Sequence, residues 1–356
     1  MKRNIWKLKN LLICCFCLLL MLPCLAFGEL ELHFLDVGQG DAAVILCDGS
    51  VMMIDGGKPE SSQMIYSYLT NTLGIDHIDV MIASHPHSDH VGGLSAALNA
   101  CRTDVIYTPL YYYNDTVFLR FRDMAAERNM NFVMPLAGTS IAFGGANVSF
   151  LAPYKLYGDT NDNSILLRID YGTTSFLFTG DAEIPEEQEV LSANPDALRA
   201  DVLKVGHHGS SSSSSEVFLQ AVHPKIALIG VGAGNTYGHP SSSVLKLLHD
   251  MDVELYRTDL HGTIILHSDG STISVQTARA PESPESVYTL TWAAFLETEA
   301  DAHSAAAYYV GNIKSMKFHT PDCEGAVKMS QKNQIRFETR EEAIQAGYFP
   351  CGTCKP

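Results

Sequence analysis

Ser84-His85-Pro86-His87-Ser88-Asp89-His90 decides the reading of this chain. It follows the apolar run Val80–Ala83 and precedes Val91-Gly92-Gly93. The HxHxDH pattern puts three imidazoles and a carboxylate into six residues. On an extended segment His85 and His87 project to one side and can face one ion. Asp89 and His90 follow where the chain turns into a helix and can face a second. Paired divalent ions turn bound water into hydroxide near neutral pH.

Two ions also need a bridging carboxylate and a distal ligand. Asp181 is the bridge candidate, because Thr179-Gly180 permits a tight turn off the run Phe176–Phe178. The next run, Val202–Val205, leads into Gly206-His207-His208-Gly209, so His207 or His208 supplies the distal imidazole. Asp89 is both a ligand and a catalytic candidate. Carboxylate with imidazole suits zinc, manganese or iron. Each candidate follows the last apolar residue of a β-rich run, and loops on a rigid sheet are where chemistry is presented.

Further strands are expected at Leu32–Leu35, Ala43–Leu46, Val51–Ile54, Val148–Leu151, Ile165–Ile169, Ile226–Gly230, Thr263–Leu266 and Ile273–Val275. Helices are expected at Ser62–Leu73, Gly93–Ala100 and Ser241–Met251. This alternation of strands and helices gives an α/β (α+β) domain over residues 29–278. Ser210–Ser215 reads as a solvated, flexible loop. Residues 279–307, rich in Ala and Glu after two prolines, read as a linker.

Lys2, Arg3, Lys7 and Lys9 precede the apolar stretch Leu11–Leu22, and Ala26-Phe27-Gly28 places small residues around a cleavage site. This is the pattern of a secretory signal over residues 1–28. Its core is short for a membrane span. An exported protein with no membrane span after cleavage is expected; the competing reading is an uncleaved anchor, and Met21-Leu22-Pro23 before Cys24 makes a poor lipidation site. The whole chain carries a net charge of −16, and loss of the signal's four basic groups leaves −20. A body that acidic does not attract polyanions through its overall field, so any nucleic-acid contact must be local. Past the signal only Cys47, Cys101, Cys323, Cys351 and Cys354 remain. An odd number argues against a complete disulfide framework.

HxHxDH, TGD and HHG in this order resemble the metallo-β-lactamase superfamily. More narrowly, the competence-protein (ComEC-type) extracellular hydrolases are resembled. The matching stretches are Leu35-Asp36-Val37-Gly38-Gln39-Gly40-Asp41, Ile54-Asp55-Gly56-Gly57, Leu203-Lys204-Val205-Gly206-His207-His208-Gly209-Ser210 and Asn235-Thr236-Tyr237-Gly238-His239-Pro240. The resemblance implies a four-layer αββα sandwich with the metals at one edge. It also implies hydrolysis of phosphodiesters, with DNA as the substrate. The superfamily carries a histidine between HxHxDH and the bridging aspartate, but none occurs here between His90 and His207. Asp162 or Asn163, in Asn161-Asp162-Asn163-Ser164, is the expected replacement at a looser first site, which suits manganese as well as zinc.

Other residues take supporting expectations. Asp55 either orients a ligand histidine or caps a turn. Asp36 and Asp41 flank the loop Gly38-Gln39-Gly40, which can approach substrate. His239 and Tyr237 are candidates for stabilising or protonating a leaving oxygen. Lys204 either contacts a phosphate or caps the sheet edge. His261 is a weaker candidate, and His33, His77, His223, His249, His267 and His303 are expected to be structural.

Residues 308–356 differ in charge, at +2 against −22 for residues 29–307. His319-x3-Cys323 and Cys351-x2-Cys354 make a His/Cys3 zinc set; the competing reading is a Cys351–Cys354 redox pair. About 50 residues bury little core, and a structural zinc would explain their folding. Phe318-His319-Thr320-Pro321-Asp322-Cys323, Ile335-Arg336-Phe337, Glu341-Glu342-Ala343, Ala346-Gly347-Tyr348 and Pro350-Cys351-x-x-Cys354 resemble the zinc-binding domain of the Ada repair family. His319 stands where that family has its methyl-accepting cysteine. An imidazole binds zinc but is no thiolate nucleophile. A zinc-stabilised module without methyl transfer is therefore expected.

Three functions follow. The first is a secreted DNA or RNA phosphodiesterase with two divalent ions, Zn²⁺ or Mn²⁺. The second is a hydrolase of another ester or amide, such as a lactone, a β-lactam or an envelope phosphodiester. The third is a non-catalytic nucleic-acid-binding protein working through its C-terminal module.

Overall fold

The computed structural model describes residues 28–281, 287, 308–346, 348–351 and 354. Apart from Gly28, the expected signal lies outside the described residues, as does most of the expected linker. Fifteen strands build the first domain. They are β1 (Leu30–Phe34), β2 (Ala43–Cys47), β3 (Ser50–Ile54), β4 (His77–Ile82), β5 (Arg102–Tyr107), β6 (Phe132–Val133), β7 (Ser140–Phe143) and β8 (Ala146–Phe150). They continue with β9 (Leu167–Tyr171), β10 (Thr174–Phe178), β11 (Val202–Lys204), β12 (Ile226–Ile229), β13 (Glu254–Arg257), β14 (Ile264–Ser268) and β15 (Ile273–Thr277).

Two mixed sheets result, in the orders β15-β14-β1-β2-β3-β4-β5-β6 and β13-β12-β11-β10-β9-β8-β7. Strand residues alternate between faces, which sorts the apolar side chains into three cores. In β10, Phe176 and Phe178 enter the core between the sheets, with Phe34, Met52, Ile82 and Phe150. Leu177 points the other way, under the helices Ile184–Ala193, Glu216–Val222 and Ser242–Asp250. Met53 and Met81 leave the first sheet toward the helices Leu94–Ala100 and Thr116–Glu127. The layers are therefore helix, sheet, sheet, helix.

Several elements depart from the sequence reading. The expected helix Ser62–Leu73 is α-helical over Ser62–Ser67 and widens into a π turn over Tyr68–Thr72. Strands β5, β7 and β13 and the helix Thr116–Glu127 were not expected. Exposed positions interrupt all three strands, and β7 and β13 are the edges of their sheet, so their apolar signal is diluted. The helix starts at Asp115, whose carboxylate accepts the Val117 and Phe118 amides.

The C-terminal module is a separate small sheet of β16 (Tyr309–Asn312), β17 (Lys317–His319), β18 (Gln334–Phe337) and β19 (Phe349–Pro350), in the order β18-β16-β17-β19. Among the described residues no helix is long and apolar enough to cross a membrane.

Candidate metal centre

Parallel pairing aims the site. Strands β3 and β4 run parallel in one sheet, and β10, β11 and β12 run parallel in the other. Their C-terminal ends meet at one edge of the sandwich. Asp55 follows β3, Ser84 and His85 follow β4, Asp181 follows β10, His207 and His208 follow β11, and Gly230 follows β12.

Asp181 is the hub of this edge. Its Oδ1 lies 3.2 Å from His90 Nε2. Its Oδ2 lies 3.7 Å from His85 Nε2, 3.8 Å from His207 Nε2 and 3.5 Å from His208 Nε2. His87 faces His85 across 3.1 Å, from Nδ1 to Nε2. Asp89 Oδ2 approaches His208 Nε2 at 3.6 Å. His85, His87, Asp89, His90, Asp181, His207 and His208 thus share one locus. His90 Nε2, His208 Nε2 and Asp181 Oδ1 are buried and have no hydrogen-bond partner. Native interiors rarely leave such atoms unpaired, and electron-pair donors converging on one point fit a divalent cation.

Below the ligands lies a layer that orients them. Asp55 Oδ2 accepts from His90 Nδ1 at 2.8 Å, and its oxygens also accept the Ser84 amide and hydroxyl, each at 2.7 Å. The Gly230 carbonyl accepts from His208 Nδ1 at 2.7 Å. Each bond places a proton on Nδ1 and turns Nε2 toward Asp181, the orientation in which Nε2 would ligate an ion. Of the two readings of Asp55, the orienting one has the geometry.

Lys204 is buried, with 2% of its surface exposed, and is closed to a substrate phosphate. It donates to the Gly180 carbonyl at 2.6 Å and pairs with Asp41. Its expected phosphate contact is thereby corrected to a positioning role. Asp41 is likewise buried, not a substrate-facing loop residue. It lies 3.5 Å from His208 Nδ1, and its amide donates to the Asp89 carbonyl at 3.2 Å. A Cβ on Gly230 would stand 2.1 Å from Asp41 Oδ1, so this approach requires glycine.

The charges are mutually adjusted. Burial would raise the Asp181 pKa, yet His90, His208, His207 and His85 hold it well below the ordinary value. Burial would lower His90, but Asp181 and Asp55 raise it well above. The same opposition, with Asp181 and Asp41, brings His208 to about 9. His85 and His87 are lowered, chiefly by burial. Burial disfavours the Lys204 charge, and Asp41 and Asp181 overcome it.

The serine run is not a flexible loop. Ser213 and Ser214 are buried. Ser213 Oγ donates to the Gly206 carbonyl at 2.7 Å, and the Gly206 amide donates to Ser214 Oγ at 3.1 Å. Ser214 and Ser215 amides donate to the Glu187 carboxylate. This scaffold surrounds two strained residues. His207 and His208 both have positive φ, 46° and 54°. Non-glycine residues rarely adopt that region, and such strain collects at functional sites.

Asp162 and Asn163 do not face the centre. Asp162 Oδ1 accepts the Glu183 amide at 3.2 Å, at the start of the helix Ile184–Ala193. Asn163 holds the Tyr157 amide and the Tyr157 and Asp159 carbonyls. Ser164, not singled out from sequence, accepts the Asp181 amide through Oγ at 2.9 Å. Glu183 was also missed, though it lies two residues beyond Asp181; its Oε1 accepts from His207 Nδ1 at 3.0 Å.

At the rim, the His239 ring lies 5.4 Å from the His207 ring and 6.4 Å from the His208 ring, centre to centre. Tyr237 stacks beside His239, and the Lys58 ammonium lies 5.7 Å from the Tyr237 ring centre. Tyr113 lies 5.8 Å from His87 across the rim, with Tyr111 and Tyr112 exposed beside it. His261 bonds the Arg257 backbone and takes no part. Asp36 pairs with Arg279 at 2.7 Å.

In the C-terminal module His319, Cys323, Cys351 and Cys354 bring one ligand atom each within 4.8 Å of one another. His319 Nδ1 is 3.3 Å from Cys323 Sγ. A Cβ on Gly325 would meet the His319 ring at 2.6 Å, so glycine makes room for the imidazole. All four fit a tetrahedral thiolate–imidazole set. Among the described residues no disulfide joins Cys351 and Cys354.

The two sheets and the ligand edge define a metal-dependent hydrolase fold, and the chain belongs to the metallo-beta-lactamase superfamily, whose profile matches residues 35–232. The metal binding domain of Ada matches residues 291–356. ComE operon protein 3 of Bacillus subtilis is 31% identical over 273 residues, covering 71% of this chain and 35% of that protein. Recombination protein 2 of Haemophilus influenzae is 31% identical over 287 residues, covering 77% and 34%. The chain therefore spans about a third of the length of these relatives. Among solved structures, the metallo-beta-lactamase fold protein YhfI of Bacillus subtilis aligns with a TM-score of 0.42 at 14% identity. The alignment covers 64% of this chain and 96% of that one.

Proposed function

We propose that this chain is an exported, metal-dependent phosphodiesterase that cleaves DNA. The observation that carries the reading is Asp181, whose two oxygens lie 3.2–3.8 Å from Nε2 of four histidines. His85, His87, Asp89, His90, Asp181 and His208 would hold two divalent ions, Zn²⁺ or Mn²⁺. When bound, such ions lower the pKa of water and neutralise charge developing on a substrate oxygen. Asp55 and the Gly230 carbonyl hold His90 and His208 in the ligating tautomer. Lys204 keeps the Asp41 charge compensated beneath them. His239 stands beside His207 and His208, where an imidazole would protonate the leaving oxygen.

Nucleic acid is favoured by two considerations. One matched relative is named Recombination protein 2, and another, of Neisseria gonorrhoeae and 29% identical over 230 residues, is named Competence protein ComA. The rim offers tyrosine faces at Tyr111, Tyr112, Tyr113 and Tyr237 for base stacking, and Lys58 for a phosphate. The charge of −22 over residues 29–307 supports a second reading, a small ester or amide substrate. Export rests on the signal pattern of residues 1–28. The hydrolase domain would span residues 29–278 and the linker 279–307. The module at 308–356 would hold one structural zinc through His319, Cys323, Cys351 and Cys354. Its charge of +2 favours a weak polyanion contact.

The test is purified 29–356 incubated with single- and double-stranded DNA and Mn²⁺ or Zn²⁺, with His87→Ala as control. Cleavage by the parent alone is expected. Turnover of a lactone or β-lactam with DNA left intact would move the assignment to the second reading.

A further inference from the structure

The first ion of the proposed pair is one imidazole short. His85, His87 and Asp181 face it, and the histidine that would complete the set is missing between His90 and His207. The residues at the corresponding place in sequence are already engaged. Asp162 accepts the Glu183 amide, and Asn163 is bonded to the Tyr157–Asp159 backbone. The replacement must come from elsewhere.

His207 has the required arrangement. In both His90 and His208, Nδ1 is tied to an acceptor and Nε2 faces Asp181. His207 repeats this third time. Its Nδ1 is bonded to Glu183 Oε1 at 3.0 Å, and its Nε2 lies 3.8 Å from Asp181 Oδ2, an oxygen that faces both His85 Nε2 and His208 Nε2. His208 Nε2 also lies 3.6 Å from Asp89 Oδ2, a second-ion ligand, and His207 has no such contact among the described ion pairs. Glu183 is itself held, accepting from Ser212 Oγ at 2.8 Å and Asn161 Nδ2 at 3.4 Å. A surface histidine needs no such support. The neighbouring backbone explains how adjacent residues serve different ions. With φ of 46° and 54°, His207 and His208 sit in the left-handed region, and their rings diverge by 66° with centres 6.1 Å apart.

We propose that His207 Nε2 is the missing ligand of the first ion, that His208 serves only the second, and that Glu183 with Ser212 positions His207. The proposal rests on the two-metal reading above. It makes the paired HH a two-site device and gives the serine run its purpose.

The test is Mn²⁺ titration of 29–356 followed by electron paramagnetic resonance, which separates a coupled pair from an isolated ion. A thiolate-rich zinc set does not favour Mn²⁺. The parent should bind two ions and show the coupled signal. His207→Ala and His85→Ala should each leave one ion and an uncoupled spectrum, and their combination should lose no further ion. Glu183→Gln should keep both ions but weaken one by about 10- to 100-fold, the usual effect of removing a group behind a metal-bound histidine. It also covers the case in which His207→Ala does not fold, since it leaves the strained backbone untouched. A parent that binds fewer than two ions overturns the two-metal reading and the inference together. A parent with two ions, beside folded His207→Ala or Glu183→Gln that binds both at parental affinity, overturns the inference alone.

Discussion

The sandwich and the C-terminal module both gather metal-type ligands, but they stand in opposite relation to their cores. In the sandwich the three apolar cores are complete without the ligand edge; Phe34, Phe150, Phe176 and Leu228 pack between the sheets regardless of what His85 or His208 binds. In the module Cys323 and Cys351 are themselves core residues, packed with Val310, Ala326 and Met329. One fold presents its ligands at strand ends as chemistry. The other uses them as packing. Burying a large core frees a metal site to serve function, whereas a small domain must use the site for folding.

Chelation breaks the comparison at its largest expected effect. Structural zinc contributes about 10–16 kcal/mol of apparent folding free energy in small zinc domains. Stripping metal from the full chain should therefore collapse hydrogen-exchange protection in β16–β18 while β10–β12 stay protected. Loss of protection in both regions would mean that the sandwich also depends on its ions for folding.

Asp181→Asn probes the other side. It removes the charge shared by four imidazoles but leaves β10, the strand that Asp181 follows, and the strands β4 and β11 that present the imidazoles. Activity on the proposed substrate should fall by roughly 10³-fold, on the order of 4 kcal/mol, with the circular dichroism spectrum unchanged. An active variant would show that Asp181 is structural.

Lys204→Met acts on the layer between core and chemistry. Lys204 and Asp41 are 2% and 4% exposed, so removing the ammonium strands a buried carboxylate. The expected loss is about 3–5 kcal/mol in denaturant unfolding, with partial recovery in Lys204→Met/Asp41→Asn. Additive single losses would deny the coupling and place the charge compensation elsewhere.

These two residues also show what the sequence can and cannot tell. The ligands were legible because metal chemistry restricts residue type and because parallel strands put loops at one edge. HxHxDH and TGD therefore announced themselves before any tertiary contact was known. The phosphate reading of Lys204 failed because a lysine at the end of a strand that leads into the ligand loop suggests exposure, while strand alternation turns its side chain inward to Asp41. The serine run was misread for a related reason. Composition says that Ser210–Ser215 is polar; it does not say that the Glu187 carboxylate waits to accept the amides of Ser214 and Ser215. Glu183 escaped notice because a lone acidic residue carries no signal until the partner, His207, is known. Strands β7 and β13 were lost to edge exposure. Motifs exposed the ligands, but their supports depend on contacts between distant segments.

The smallest expected effect separates the two regions by the sign of a pH dependence. Burial raises the Glu187 carboxyl to about 7, with its hydrogen bonds from Ser214 and Ser215 only partly opposing the shift. The folded state therefore holds this proton more tightly than the unfolded chain, whose ordinary value is near 4.5. Between these values unfolding releases a proton, so Glu187 makes the sandwich less stable as pH rises from about 4.5 to 7. Above that window the penalty is constant. Thiolate ligands act in the opposite sense, because cysteines must be deprotonated to hold zinc and the module gains stability as pH rises. Glu187→Gln should flatten the pH dependence of sandwich unfolding by on the order of 1–3 kcal/mol between pH 4.5 and 7. Glu186, raised in the same direction by burial and Asp162, keeps some slope in the variant. Exchange protection in β16–β18 should keep its opposite trend in both proteins. An unchanged slope in Glu187→Gln would assign the sandwich's pH response to Glu186 and leave the serine scaffold independent of protonation.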